Sequence, residues 1–296
     1  FIKLKIENYF FKIELKIEKL LLLILAITFV IVSFKLELKF SFYDSYERRI
    51  ESREILVGYL GYLFSICMNA IAPYLAFLAI LRKKYGYLFF SIIFTIICFG
   101  FIGVKAPFFY VFLFSFIAFI LQNSKLNFNK FLSFLFISIF IFALIEYAIF
   151  EFSWMADIII RRIQPVVAQN QLYFLDFFIN SFDIKNILFG LSSDITYIIG
   201  DIYHSVPETN ANVNAFFYEI GRNGLIGYFI MVLLLVFLFS LLDYLYKKYK
   251  MNELLAISFL YSILLIEQSY STALISSGIL FIILLTIFTK KENNGE

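Results

Sequence analysis

The stretch Leu225–Leu242, LIGYFIMVLLLVFLFSLL, decides what kind of fold this chain adopts. It carries no charged side chain and is apolar on every side, and its length is close to the roughly 20 residues a helix needs to cross hydrocarbon. Lipid offers backbone amides no partner, so only a helix or a closed barrel can occupy such an environment. A barrel would show segments of about 10 residues alternating polar and apolar, and no such alternation is present.

The rest of the chain repeats the pattern. With 62% hydrophobic residues, 41 Phe and a mean hydropathy of +0.87, it holds far more apolar surface than a soluble core can hide. The expected fold class is therefore all-α, a polytopic helical bundle in a membrane. Spans are expected at Leu20–Phe34, Ile55–Leu81, Tyr87–Val104, Pro107–Leu121, Phe131–Phe150, Leu225–Leu242, Leu254–Glu267 and Thr272–Phe288, about eight helices in all. Three regions follow: 1–150, an N-terminal amphipathic segment with helices one to five; 151–213, a large loop; and 214–296, helices six to eight with a tail.

Orientation follows from cations retained in short cytoplasmic loops. Arg82, Lys83, Lys84, Lys125, Lys130, Lys247, Lys248, Lys250, Lys290 and Lys291 fall on the same side as the Lys-rich start. Both termini are thus expected inside, and the 151–213 loop outside. The opening segment 1–19 reads either as an amphipathic helix on the inner surface or as a plain charged tail, and residue 1 is Phe, so the natural beginning is expected to be missing. Cys67 and Cys98 fall inside spans and read as small apolar groups, with no disulfide or metal implied.

Chemistry is expected in the outer loop, which holds the only Trp (Trp154), the only His (His204) and the pair Arg161 and Arg162. Trp154–Ile163 reads as a helix ended by Pro165. A second helix is expected over Gln171–Phe182, with Leu172, Leu175, Ile179 and Phe182 on one face and Asp176, Asn180 and Asp183 on the other, lying across the outer surface. Gly190, Gly200 and Pro207 then punctuate a loop bearing Asp194, Asp201, His204 and Glu208.

Lys105, Arg161 and Arg162 are cations on the side where cations are scarce. A guanidinium fork matches phosphate oxygens, so a lipid diphosphate is one partner for them; snorkelling to lipid phosphates, or pairing with Asp157 and Asp183, is the other. Arg48, Arg49 and Arg53, interleaved with acids, read as a solvated charged face. Glu146 and Glu267, at the outer ends of their helices, are either functional or paired with a neighbouring cation. His204 is the one group titrating near neutrality unperturbed, either a base or an ordinary loop histidine.

One segment carries a resemblance. In Asn214-Ala-Phe-Phe-Tyr-Glu219-Ile-Gly221-Arg222-Asn-Gly224-Leu-Ile-Gly227, an Asn is followed by nine residues, Gly, two residues and Gly. This resembles the motif of the O-antigen polymerase and ligase superfamily of bacterial membrane glycosyltransferases, where it opens a transmembrane helix after a large periplasmic loop. Ile187-Leu-Phe-Gly190 resembles that family's "lfG" turn, Arg162 its arginine near the loop's start, and Gly103-Val-Lys105-Ala-Pro107 its basic helix opening. The likeness runs from about Phe99 to Leu242, with the sharp motif confined to some fifteen residues. Where a ligase carries the motif's histidine this chain has Val213, which tips the reading to the polymerase side.

The resemblance implies an enzyme of the bacterial inner membrane, with its active loop periplasmic. It would polymerise undecaprenyl-diphosphate-linked repeats into O-antigen, capsule or a similar surface glycan. Its partners would be the lipid-linked donor and acceptor, the bilayer and a chain-length regulator, with no nucleic acid, cofactor or metal. Arg162 and Arg161, assisted by Lys105, would neutralise the departing diphosphate, and Arg222 would hold the second lipid's phosphate. Glu219, Asp201 or His204 would serve the acceptor hydroxyl, and Asn214, Gly224 and Gly227 would shape the substrate site. Ligase-type transfer to lipid A core or protein is the alternative, and a transporter or flippase component a more distant one.

Overall fold

The computed structural model describes residues 17–40, 45–122, 128–153, 155–157, 165–180, 183–191, 195–204 and 210–288. These are helical between short connections, with no strand among them. In chain order the helices are α1 (Ile17–Ser33), α2 (Ser45–Ile55), α3 (Tyr59–Leu81), α4 (Tyr85–Ile102), α5 (Ala106–Gln122), α6 (Phe128–Phe150), α7 (Pro165–Asn180), α8 (Ile184–Phe189), α9 (Ile195–His204), α10 (Ala215–Tyr249), α11 (Asn252–Glu267) and α12 (Ile279–Phe288). Of the described helices, α3, α4 and α10 are long and apolar enough to cross a bilayer. Shorter apolar helices are Ala106–Gln122, Phe136–Phe150 and Ile279–Phe288.

The chain divides into two compact units. The first comprises Phe1–Gln122, Tyr249–Leu260 and Leu274–Glu296. Its centre is the second half of α3, where Ala72 through Ala79 are buried on all sides. Ala70, Ala72, Ala76 and Ala79 let neighbouring backbones approach closely, the packing that works where lipid removes the hydrophobic drive between helices. Phe77 meets Phe114 edge-on at 5.9 Å. Tyr74 is fully buried and its hydroxyl finds Thr286 at 2.7 Å, so no polar group is stranded there. A π-helical stretch, Cys67–Ile71, interrupts α3, and the Cys67 thiol lies 3.3 Å from the Thr28 hydroxyl.

Charge at the ends of this unit is more ordered than its sequence suggests. Glu18 is buried between Arg82 at 3.0 Å and Lys84 at 2.9 Å. On α2, the expected solvated face is corrected. Arg48 is only 4% exposed; its guanidinium donates to the Gly100 carbonyl at 2.8 Å and lies over the Phe99 ring at 5.4 Å. Arg49 donates to the Gly103 carbonyl at 3.3 Å, while Arg53 remains exposed. The last carbonyls of a helix lack internal partners and carry partial negative charge, so cations placed there satisfy both deficits. The sequence shows the cations but not those carbonyls.

The second unit comprises Asn123–Lys248 and Tyr261–Ala273. It contains the loop between α6 and α10. A small apolar core of Phe174, Ile195, Ile199, Ala211 and Val213 holds α7 and α9 against the start of α10. The helix expected over Gln171–Phe182 starts instead at Pro165, because a proline lacking an amide hydrogen suits a first helical turn as readily as it blocks a preceding one. The expected Trp154–Ile163 helix lies outside the described residues apart from residues 155–157. The segment expected to be a loop around Gly200, Asp201 and His204 is α9, with Gly200 buried on its inner face.

Candidate functional site

The residues of the motif meet at the N-terminal end of α10. Asn214 caps this helix: its Oδ1 accepts from the Phe217 amide at 3.0 Å, occupying one of the four orphan donors of the first turn. Glu219 follows on the buried face, only 4% exposed, and accepts from the Asn223 side-chain amide one turn on. Gly221 packs against Ile195 and Phe174 so closely that an added methyl would lie 3.0 Å from the Ile195 side chain.

At Gly224 the helix breaks direction, with φ 67 and ψ −166. L-residues with a Cβ strongly disfavour that conformation, so the glycine is a requirement of the kink. The Gly190 turn seats at the kink, also at positive φ (80). A Cβ on Gly190 would strike the Arg222 carbonyl, and one on Gly224 would strike the Leu188 carbonyl. The Leu191 amide donates to the Gly221 carbonyl at 2.9 Å. In an unbroken helix that carbonyl would serve the Leu225 amide, just past the kink, so the turn supplies the donor that the break withdraws.

His204, at the C-terminal end of α9, is partly buried. Its Nε2 lies 3.3 Å from Asn170 Oδ1, and its ring meets Tyr173 edge-on at 5.4 Å. The Asn170 amide donates to the Asn212 carbonyl at 2.6 Å, which ties the imidazole to the chain just before Val213. Tyr203 stacks on Tyr173 with centroids 4.7 Å apart and rings 17° from parallel. Its hydroxyl donates to Asp176 Oδ2 at 2.6 Å, and that hydrogen bond to a carboxylate, together with partial burial, pushes the phenol up to about 12.

Of the expected site residues, His204, Asn214, Glu219, Arg222, Gly224 and Gly227 therefore lie on α9 and the first turns of α10 in one unit, with Asp201 exposed on α9. Arg222 is exposed beside the kink, and the Asn223 side chain lies over Gly227. Arg161 and Arg162 lie outside the described residues. Lys105 is exposed between α4 and α5 and belongs to the first unit. Among the described residues no group of three or more His, Cys, Asp or Glu is placed to hold a metal ion.

Two participants were not foreseen: Asn170, which orients His204, and the stacked Tyr173–Tyr203 pair. The sequence signals for the pair are that Tyr173 shares a helix with Asp176 and that Ile195, Ile198, Ile199 and Ile202 recur at helical spacing in α9, where Gly200 instead reads as loop punctuation. Among the described residues Glu146 has no lysine or arginine ion pair: it accepts from the Ser153 hydroxyl at 2.8 Å and the Met155 amide at 2.9 Å, closing the turn that follows α6.

No family model, curated protein or solved structure matches this chain.

Proposed function

We propose that this protein is a membrane glycosyltransferase that polymerises undecaprenyl-diphosphate-linked oligosaccharide repeats at the outer face of a bacterial inner membrane. In this reading about eight helices span the bilayer, both termini are cytoplasmic, and the loop between α6 and α10 is periplasmic. The observation that carries the proposal is the joining of the Gly190 turn to the Gly224 kink. The two segments whose sequences resemble separate parts of one family's motif pack directly on each other. Support for an interfacial position comes from α7, where Leu172, Leu175 and Ile179 form an exposed apolar stripe flanked by the exposed Asp176 and Asn180.

The chemistry is a displacement at an anomeric carbon. The acceptor sugar's hydroxyl oxygen forms the new glycosidic bond, the bond from that carbon to the diphosphate oxygen breaks, and the hydroxyl proton passes to a base. Charge grows on the leaving diphosphate, where Arg162 and Arg161 act, with Lys105 assisting and Arg222 holding the acceptor lipid's phosphate. Three groups compete for the base. Glu219 is buried and hydrogen-bonded to Asn223, Asp201 is exposed, and His204 is oriented by Asn170.

Polymerase is preferred to ligase on Val213, which is 2% exposed within the apolar cluster of Phe174, Ile195 and Ile199. The position where a ligase carries its histidine here serves packing. The test is the length distribution of surface glycan in a deletion strain complemented with wild type or Arg162→Ala. The expected result is single-repeat caps in the deletion, a ladder restored by wild type, and no ladder from a variant that still reaches the membrane. Long chains accumulating on the lipid carrier would replace this reading with the ligase, and an unchanged ladder would remove both.

A further inference from the structure

The cluster between α7 and α9 has a composition with a narrow chemical meaning. Two tyrosines, Tyr173 and Tyr203, stack with centroids 4.7 Å apart, and both are half-buried, so each keeps part of its surface in solvent. Their hydroxyls are already oriented: Tyr203 donates to Asp176, and Tyr173 accepts from the Gln169 side-chain amide. Asp176 is exposed and spends Oδ2 on Tyr203, leaving acceptor capacity on the carboxylate. Asn170 and His204 close one edge of the cluster.

Neither helix carries a lysine or arginine: α7 reads PVVAQNQLYFLDFFIN and α9 reads ITYIIGDIYH. A phosphate or other anion would meet the Asp176 carboxylate with no lysine or arginine on either of these helices to offset it, an arrangement that costs binding rather than giving it. A cationic ligand would meet only the solvent-exposed carboxylates of Asp176 and Asp201, whose interactions in high dielectric are each worth little. What remains is a neutral ligand with an apolar C–H face for the rings and hydroxyls that donate to a carboxylate and accept from amides and phenols. A pyranose has both.

We infer that the stacked Tyr173–Tyr203 pair, with Asp176 and Gln169 at its margin, is a binding platform for a neutral sugar residue of the glycan. The inference rests on the polymerase reading for the ligand's role, the acceptor repeat held beside the start of α10. It assigns the sugar and the diphosphate to different residues. The arginines and Lys105 take charge, and the tyrosine platform takes the neutral ring. Asn170 joins the platform to the start of α10, since it touches His204 and donates to the Asn212 carbonyl just before the helix cap.

Saturation-transfer NMR on the full chain in nanodiscs tests it, with methyl glycosides of glucose, galactose, rhamnose and N-acetylglucosamine as probes, and glucuronic acid and inorganic diphosphate as anionic comparisons. At least one neutral glycoside is expected to receive saturation through its ring protons above the level of empty nanodiscs. Asp176→Ala, at an exposed position that tolerates truncation, and Tyr203→Phe, which keeps the ring stack, are each expected to weaken it about 10-fold, the loss of one or two hydrogen bonds. Arg162→Ala is expected to leave it unchanged.

No neutral glycoside binding above empty nanodiscs, or binding indifferent to both Asp176→Ala and Tyr203→Phe, would overturn the platform. Its failure is separable from that of the polymerase reading. A normal ladder in the deletion strain alongside glycoside binding lost in the two variants keeps the platform and removes the polymerase. A lost ladder with no glycoside binding does the reverse.

Discussion

Gly190 and Gly224 close on each other: a Cβ on Gly190 would enter the backbone of Arg222 and Asn223, and a Cβ on Gly224 would enter that of Leu188 and Phe189. Each glycine thus leaves room for the segment bearing the other, and both sit at positive φ.

An alanine at either position pays twice, in a backbone conformation that costs roughly 1–2 kcal/mol and in separation of the two segments. Gly190→Ala and Gly224→Ala are each expected to lower the melting temperature of the purified protein and to abolish the glycan ladder. Because both break one contact, the double variant should fall well short of the sum. Gly86→Ala is the control: this glycine is exposed at a helical position, and an added Cβ meets nothing within 4 Å, so stability should not fall and product should be unchanged.

Asn214 caps α10, and a cap needs an acceptor rather than an amide in particular. Asn214→Ala should cost about 1 kcal/mol, whereas Asn214→Asp and Asn214→Ser should keep both stability and product. Loss of product in Asn214→Asp with an unchanged melting temperature would show instead that the side-chain amide contacts substrate.

Arg48 separates the buried from the solvated reading of α2. Arg48→Ala removes the donor to Gly100 and the cation over Phe99, and should destabilise the purified protein by about 2 kcal/mol, a charged hydrogen bond plus its packing. Arg53→Ala, on the exposed face, should fall within about 0.5 kcal/mol of wild type. Equal thermal shifts for the two would return α2 to a simple solvated helix.

The Tyr203 phenol titrates near 12 against an ordinary value of 10.0, so its protonated form is the one favoured by folding. The hydrogen bond to Asp176 therefore contributes in full below pH 10 and is lost as pH rises through about 12, with no change across the physiological range. NMR with carbon-labelled tyrosine checks this: the Tyr203 resonance, assigned through Tyr203→Phe, should titrate late in wild type and return toward 10 in Asp176→Ala.

Val213 packs among Phe174, Ile195 and Ile199, with 2% of its surface exposed. Val213→His would bury a polar ring among apolar side chains, so it should unfold the loop, seen as faster proteolysis, rather than create ligase activity. Glycan appearing on lipid A core in that variant would show that this position reaches the active site.

The helical architecture was legible because an apolar run of bilayer length permits few alternatives, and α3, α4 and α10 fall where such runs predict. Legibility failed where one residue type serves opposite purposes. Pro165 reads as a stop, yet it opens α7. Gly200 reads as loop punctuation, yet it is buried on α9, where a small residue allows close packing. Arg48 is bonded to a carbonyl that no pattern in its own segment announces. Within the site, the motif placed Asn214, Glu219 and Gly224 together because they share one helix. Asn170 and Tyr173 came from a distant segment whose partner helix had first to be found.

The kink in α10 bears on the lipid as well as on the loop. As a straight rod its 35 residues would extend about 52 Å, well beyond the roughly 30 Å of hydrocarbon in a typical bilayer. Gly224 divides that length into a short N-terminal limb joined to the Gly190 turn and a long limb that carries Lys247 and Lys248 in its last turn. In a bilayer, hydrophobic mismatch would act on the long limb alone, by tilt, and the bend would absorb it. Membrane composition, through its thickness, would then set the angle at which this helix presents its N-terminal limb.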